Sequence, residues 1–456
     1  MTTTPDITLR SGLTTACELH LPGDPGYDVA RLAWNLAVDQ RPAAVALPRT
    51  VDQVRDVVRA AATAGLRVAP QSTGHGAAAL GEQDLDDVVL VRLSALTGVE
   101  VDPARPAARV LGGTLWQEVV EAAAPHGLTA LHGSAPDVAV AGYVLGGGLS
   151  FYGRTHGLAA NSVRAADVVL ADGTLVRASA TEHPDLFWAL RGGGGNLGVV
   201  VALEIDLLPY AEVYAGMLLW DRERAPEVVP AWVEWSRTAP ESATTSLRVM
   251  SFPPLPELPP FLSGRDLVIV DGAVLEADER AAEVLAPLRA LAPEMDTFAR
   301  VPASALTEVH MDPPAPSPAV GDHSVLGPLD ADGVAALLAQ VGPGTRSGLM
   351  FAELRHLGGA FARPVPGGGV LSSIAGDYAL LCVAMAPTPE AVVAGRAAAF
   401  SVVRAMAPWA QRSLVPTFAE TRVDASRFYD DEDWLRVCRV RDELDPRRVL
   451  VANHRL

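Results

Sequence analysis

The sequence predicts an α+β protein of two or three domains, one of them an antiparallel sheet with helices on one side. Three observations lead there. A chain of 456 residues is long for a single hydrophobic core. Hydrophobic residues make up 49% and charged residues 20%, the balance of a globular protein with ample core. After about Pro209 the composition shifts. Strand-like runs at Leu218–Trp220, Leu267–Val270 and Leu380–Ala384 then alternate with Ala-rich helices at about 279–291, 331–341 and 389–405. Pro-rich loops interrupt them at 253–260 and 312–318.

The elements before that point follow from local rules. Residues 1–40 read as a short lead, and MTTTPDITLR lacks the basic-then-apolar pattern of a secretory signal. Ala44–Leu47 reads as a strand, with Thr50 as N-cap of a helix over about 51–64 that Gly65 stops. Arg67 to Gln71 is a strand running into the polar loop Ser72-Thr73-Gly74-His75-Gly76. Val88–Leu93 and Ala108–Gly112 are strands, and Thr114–Ala124 is a helix closed by Pro125. Leu131 to Gly157 reads as mostly irregular and glycine-rich, a length of loop that is usually functional. Ala166–Leu170 and Leu175–Arg177 form a hairpin around Asp172-Gly173. A helix at Pro184–Leu190, a tetraglycine and strand Val199–Leu207 follow, and near the end a helix covers about 431–441.

Composition excludes several chemistries. The net charge of −18 argues against nucleic acid or an anionic membrane surface as partner. The chain has no lysine, which removes a P-loop lysine, a lysine Schiff base and a lysine nucleophile. No H-E-x-x-H or G-x-S-x-G occurs. Cys17, Cys382 and Cys438 have no metal-ligand spacing and read as reduced thiols, so no metal site is expected and a cytoplasmic location is. Ala/Arg-rich, lysine-free usage suggests a bacterium.

Three glycine motifs remain. Gly74 and Gly76 flank His75 and let a ligand approach the backbone on either side of the imidazole. Leu145-Gly146-Gly147-Gly148-Leu149 and Arg191-Gly192-Gly193-Gly194-Gly195-Asn196-Leu197-Gly198 follow. The last satisfies G-x-G-x-x-G, but helix precedes it and strand follows, the reverse of a Rossmann fingerprint. A set of tight turns needing positive φ is the other reading.

In this order the three motifs resemble the FAD-linked oxidases of the berberine-bridge-enzyme-like group, within the vanillyl-alcohol-oxidase or PCMH type of flavoprotein. Ala33-Trp34-Asn35 and the closing Leu444-Asp445-Pro446 and Ala452-Asn453-His454 add to the likeness. The resemblance implies a two-part FAD-binding domain of residues 1–212 and 405–456, packed on a substrate-binding domain of 213–404. It implies that His75 is bonded to the flavin 8α-methyl group. The family loop commonly reads R-x-G-G-H-S, from which Gln71, Ser72, Thr73 and Gly76 depart. In the family, backbone amides of this loop and of the 133–148 region hold the FAD pyrophosphate, as tight glycine turns can without a charged side chain. The residues so implied around FAD are Gln71, Ser72, Thr73, Gly74, His75, Gly76, Gly133, Ser134, Asp137, Val138, Gly142, Gly146, Gly147, Gly148, Gly157, Gly198, Val200 and Asn453. Arg154 matches a family arginine, with a surface ion pair as the alternative. Doubly linked members carry Cys where this chain has Ala135, so one covalent bond is implied. The family places Val138 near the oxygen-reactive edge of the flavin.

The activity implied is hydride transfer from a small-molecule alcohol or amine, in the range of a sugar or a secondary metabolite, with O2 reduced to H2O2. A dehydrogenase using another acceptor and a flavin-carrying protein without turnover are the alternatives. Candidate catalytic residues are Tyr143, Glu353, Arg355, Tyr378 and His310, with a structural role open for each. Glu353 and Arg355 would share one face of a strand by two-residue alternation. Partners are the substrate and oxygen, and the protein is expected as monomer or homodimer.

Overall fold

The computed structural model describes residues 17–313 and 315–456. The first small sheet holds β1 (Glu18–His20), β2 (Ala44–Leu47), β3 (Arg67–Gln71) and β4 (Val88–Arg92) in the order β1-β2-β4-β3. β2, β4 and β3 run parallel, and β1 is antiparallel to β2. The second holds β5 (Val99–Asp102), β6 (Ala107–Leu111), β7 (Val163–Val169), β8 (Leu175–Ser179) and β9 (Val199–Asp206) in the antiparallel order β5-β6-β9-β7-β8.

The helix Val51–Thr63 joins the two sheets. Thr50 accepts the Gln53 N–H as N-cap, which stabilises the helix by about 1 kcal/mol, and Gly65 follows the C-cap at φ +74°. Its stripe of Val54, Val57, Val58 and Ala61 is fully buried between Val89 and Val91 on one side and Val169, Val199 and Val201 on the other.

The chain then builds an eight-stranded antiparallel sheet. Its strands are β10 (Glu212–Asp221), β11 (Ala243–Ser251), β12 (Asp266–Val274), β13 (Met295–Asp296), β14 (Ala299–Pro302), β15 (Ala319–Leu326), β16 (Phe351–His356) and β17 (Tyr378–Met385). The order is β13-β10-β12-β11-β16-β17-β15, with β14 beside β10. Helices Ala225–Thr238, Asp278–Arg289, Ala331–Val341 and Pro389–Ala405 bury one face, with Trp220, Trp232, Leu247, Leu354, Leu380 and Cys382 between. By alternation the opposite face presents Ser246 and Arg248 on β11, Asp271 on β12, and Phe351, Glu353 and Arg355 on β16. This face meets Leu149 and Phe151 of the glycine-rich half.

Two expectations change. The 131–157 region is less irregular than its glycines suggest, because Val140–Leu145 and Gly153–His156 are helical. The leading segment 1–16 lies outside the described residues. No helix among the described residues is long and apolar enough to cross a membrane.

Candidate flavin and substrate site

The His75 loop leaves β3 and faces the segment after Leu131. Backbone N–H groups of Ser72, Thr73, Gly74, His75 and Gly76 find no acceptor among the described residues, nor do those of Gly133, Ser134, Ala135 and Val138. Partly exposed amides in two facing loops are the donor set an anionic pyrophosphate needs. Gly74 is required by its surroundings. Its φ is +86°, and a Cβ there would lie 3.0 Å from the Ala33 backbone. A cleft of about 440 Å³ opens beside the loop, lined in part by Trp34, Thr73, Arg92, Gly113 and Glu118. Arg92 brings a cation to it. These features fit FAD.

Side chains in the loop divide their work. Gln71 is buried and exchanges hydrogen bonds with Gln40 at 2.9 and 3.1 Å, while Arg92 donates to it at 2.7 Å. It braces the loop from beneath. Ser72 Oγ donates to the Gly112 carbonyl at 2.8 Å, tying the first sheet to the second. Thr73 Oγ1 lies 2.8 Å from His75 Nδ1, and Asp137 Oδ1 lies 3.6 Å from His75 Nε2. The Trp34 indole stacks on the imidazole at 4.2 Å. Asn453 Nδ2 donates to the Gly76 carbonyl at 2.5 Å, so the tail returns to this loop.

Tyr143 stands between two glycines. A Cβ at Gly133 would be a tight 3.0 Å from its ring, and one at Gly148, where φ is +74°, would clash at 2.4 Å, so Gly148 must be glycine for the ring to sit there. Gly142 beside it opens to free space. Gly146 packs on Thr417 and Gly147 on Leu371, so the LGGG turn lies against the large-sheet half. The Tyr143 hydroxyl is buried without a hydrogen-bond partner among the described residues. Burial pushes its pKa up despite the nearby Arg355 charge, so at neutral pH it keeps its proton and can donate.

Above Tyr143 lies the polar face of the large sheet. Arg355 Nε donates to Glu353 Oε1 at 2.8 Å and Nη1 donates to the Leu149 carbonyl at 3.3 Å, with Phe151 and Phe418 against the guanidinium. Burial alone would raise the Glu353 pKa, but the charges of Arg355, His310 and Arg248 hold it below the usual value, so the buried carboxyl is ionised. His310 lies 3.2 Å from Asp271 Oδ1 and edge-on to Phe151 at 5.2 Å. Arg248 pairs with Asp271, which is fully buried. Four of the five expected catalytic residues thus share one polar layer.

Tyr378 does not. The β16–β17 register puts it on the helix-covered face, packed on Trp232 and bonded to Ser236 Oγ at 2.7 Å. Arg154 is also neither a surface pair nor part of the cradle. It is buried and donates to the Leu357 and Ala239 carbonyls and to His356. Gly157 sits against Ala360 and Asn161. Gly198 packs against Val168. Val200 is buried in β9 beside Gly112.

Sequence reasoning missed Ser246, Arg248 and Asp271, although a charge inside the apolar run 267–274 was a signal for a buried pair. The pair has a measurable consequence. Asp271 is held down to about 2: burial would raise it, and the charges of Arg248 and His310 more than offset that. Its stabilisation is complete above the ordinary carboxyl value near 4 and is lost as pH falls towards 2. Asp271→Ala removes the buried carboxylate paired with Arg248 and should cost about 3–5 kcal/mol in urea unfolding at pH 7, and less at pH 3. A loss under 1 kcal/mol at pH 7 would contradict the pairing.

Residues 42–179 match the family model of the FAD binding domain. The chain is 33% identical over 236 residues to glucooligosaccharide oxidase of Sarocladium strictum, a match covering 51% of this chain and 47% of that one. It is 34% identical over 214 residues to (R)-6-hydroxynicotine oxidase of Paenarthrobacter nicotinovorans, covering 46% of each. The chain thus spans about half the length of these curated relatives. Over nearly the whole chain its structure superposes on Physcomitrella patens BBE-like 1, with TM-score 0.83, 21% identity and 99% and 98% of the two chains covered. Xylooligosaccharide oxidase from Myceliophthora thermophila superposes with TM-score 0.80, 23% identity and 97% of each chain. Residues 42–179 thus match the FAD binding domain model, and over nearly its whole length the chain has the fold of Physcomitrella patens BBE-like 1.

Proposed function

We propose that this protein is an FAD-linked oxidase that takes a hydride from a C–H bond of a small-molecule alcohol or amine and passes the electrons to oxygen as H2O2. The observation that carries the reading is the buried, ionised Glu353, held by Arg355 in the same polar layer as the protonated Tyr143, over two loops of free amides. FAD, when bound, supplies the hydride acceptor and its reoxidation by oxygen. The chain supplies the rest. Glu353 takes the proton from the substrate O–H or N–H as the hydride leaves. Arg355 fixes the orientation of that carboxylate, and the Tyr143 hydroxyl donates to the substrate oxygen or nitrogen. Phe151 and Phe418 flank the guanidinium and keep water from it.

A single flavin link, through His75, follows from the same reading. Ala135 has no nucleophile, Cys382 is buried among the sheet helices, and Cys17 and Cys438 lie beside β2 and in the helix Asp431–Leu444. Of the residues ascribed to the cradle, the amides of 72–76 and those of Gly133, Ser134 and Val138 would hold the pyrophosphate, with that of Ala135 beside them.

Anaerobic mixing with a panel of sugars, alcohols and cyclic amines tests the activity. One class should bleach the flavin, and admitting air should restore the colour within seconds with one H2O2 formed per substrate oxidised. A flavin that stays bleached in air is that of a dehydrogenase, and one that no class bleaches belongs to a protein without this turnover.

A further inference from the structure

His75 is gripped from three sides. Thr73 Oγ1 is 2.8 Å from Nδ1, the Trp34 ring lies flat over the imidazole with an interplanar angle of 18°, and Asp137 Oδ1 is 3.6 Å from Nε2, a charge contact longer than a hydrogen bond that leaves Nε2 buried without a hydrogen-bond partner among the described residues. Trp34 Nε1–H donates to the other oxygen of Asp137 at 2.5 Å, so the residue that covers the imidazole also aims the carboxylate. Asp137 comes from the second amide loop, so this contact spans the two halves of the cradle. Half-burial would raise its pKa, but His75 and the Trp34 N–H together lower it, which keeps it an anion.

We propose that Asp137 prepares His75 for its bond to the flavin by holding the ring proton on Nε2, which leaves the Nδ1 lone pair as the nucleophile. At 3.6 Å the carboxylate makes no hydrogen bond to Nε2, but its negative charge favours the tautomer with hydrogen on the nitrogen facing it. Nδ1 then accepts from the Thr73 hydroxyl, a contact that Nδ1 exchanges for the flavin methyl carbon. The step balances as follows. Nδ1 forms a bond to the 8α carbon, and one C–H bond of that methyl breaks. Its proton leaves to solvent, its electron pair reduces the flavin, and the proton on Nε2 passes to Asp137 or to water. Dioxygen takes up the two electrons and two protons as H2O2. Positive charge builds on the imidazole as the bond forms, and Asp137, ionised and 3.6 Å from Nε2, stabilises it. Asp137 is therefore a positioning residue that acts through His75. This inference rests on His75 being the attachment site.

The test is the rate at which apo-protein gains flavin covalently. Parent, Asp137→Asn and Trp34→Phe are prepared without flavin and mixed with FAD in air, and intact mass after acid denaturation is followed with time. Equilibrium FAD affinity is measured separately. The parent should gain the mass of one FAD. Asp137→Asn should bind FAD with affinity within about threefold of the parent but attach it at least about tenfold more slowly, as expected for loss of the negative charge facing the imidazole. Asp137→Glu should recover part of the rate. Trp34→Phe keeps the carboxylate but frees it, and should slow attachment about threefold at unchanged affinity. It carries the test if Asp137→Asn does not bind FAD. Parent-like attachment rates in the binding-competent variants overturn this inference alone. A parent that never gains the mass overturns it together with the assignment of His75.

Discussion

Glu353→Gln should lower kcat by about two to four orders of magnitude, the range for losing a general base, while the flavin content and visible spectrum stay those of the parent. Gln is nearly isosteric and keeps a carbonyl oxygen for the Arg355 Nε–H that Glu353 accepts at 2.8 Å. It cannot take a proton. The variant should also lose the acid limb of the parent's pH profile. Neighbouring cations hold Glu353 below the usual carboxyl range, so in the parent kcat should stay level through neutral pH and fall only on the acid side of that range. Removing one charge from a buried set that also holds Arg248, Asp271 and His310 has a cost in stability, so the variant's urea midpoint must be measured beside kcat. A drop of less than about threefold in kcat would make Glu353 a structural partner of Arg355 and leave the proton acceptor to another group.

His75→Ala should convert tightly held flavin into reversibly bound flavin. The amides of 72–76 stay free to meet a phosphate whatever side chain stands at 75, so FAD should still bind. An 8α bond to imidazole withdraws electrons from the ring, so without it the flavin potential falls and hydride acceptance becomes harder. Each 1.4 kcal/mol added to the barrier costs about tenfold in rate, and a loss of about ten- to a hundredfold at saturating FAD is expected. A redox titration of variant and parent checks the potential directly. An unchanged potential with an unchanged flavin content would mean that His75 only packs under Trp34.

Much of the fold was legible where local chemistry and tertiary packing agree. The helix Val51–Thr63 has its cap, its valine stripe and its terminal glycine in one short segment, and Ala331–Val341 and Pro389–Ala405 were readable for similar reasons. The helix Ala225–Thr238 was hidden by the proline at 230 inside it. β11 was hidden because Thr244, Ser246 and Arg248 look like loop chemistry until a facing layer buries them. The His75 loop, Tyr143 and the Glu353–Arg355 alternation were visible as motif, spacing and parity. The contact of Trp34 with Asp137 was not, since it joins residues 103 apart in sequence. The face that Tyr378 occupies was hidden for a related reason. Its side is set by the register of β17 on β16, which a single strand read alone does not reveal.

The central claim is that FAD lies in the His75 loop and is bonded to that residue. The chain has no lysine, so trypsin cuts only after arginine, and Val68–Arg92 is released with His75 as its one histidine and with no cysteine. The measurement is mass spectrometry of the flavin-absorbing peptide from acid-denatured, trypsin-digested protein. The account predicts one yellow peptide, Val68–Arg92, carrying one flavin group on His75. Colourless peptides with all flavin free in the supernatant, or flavin on a peptide that lacks His75, would contradict it.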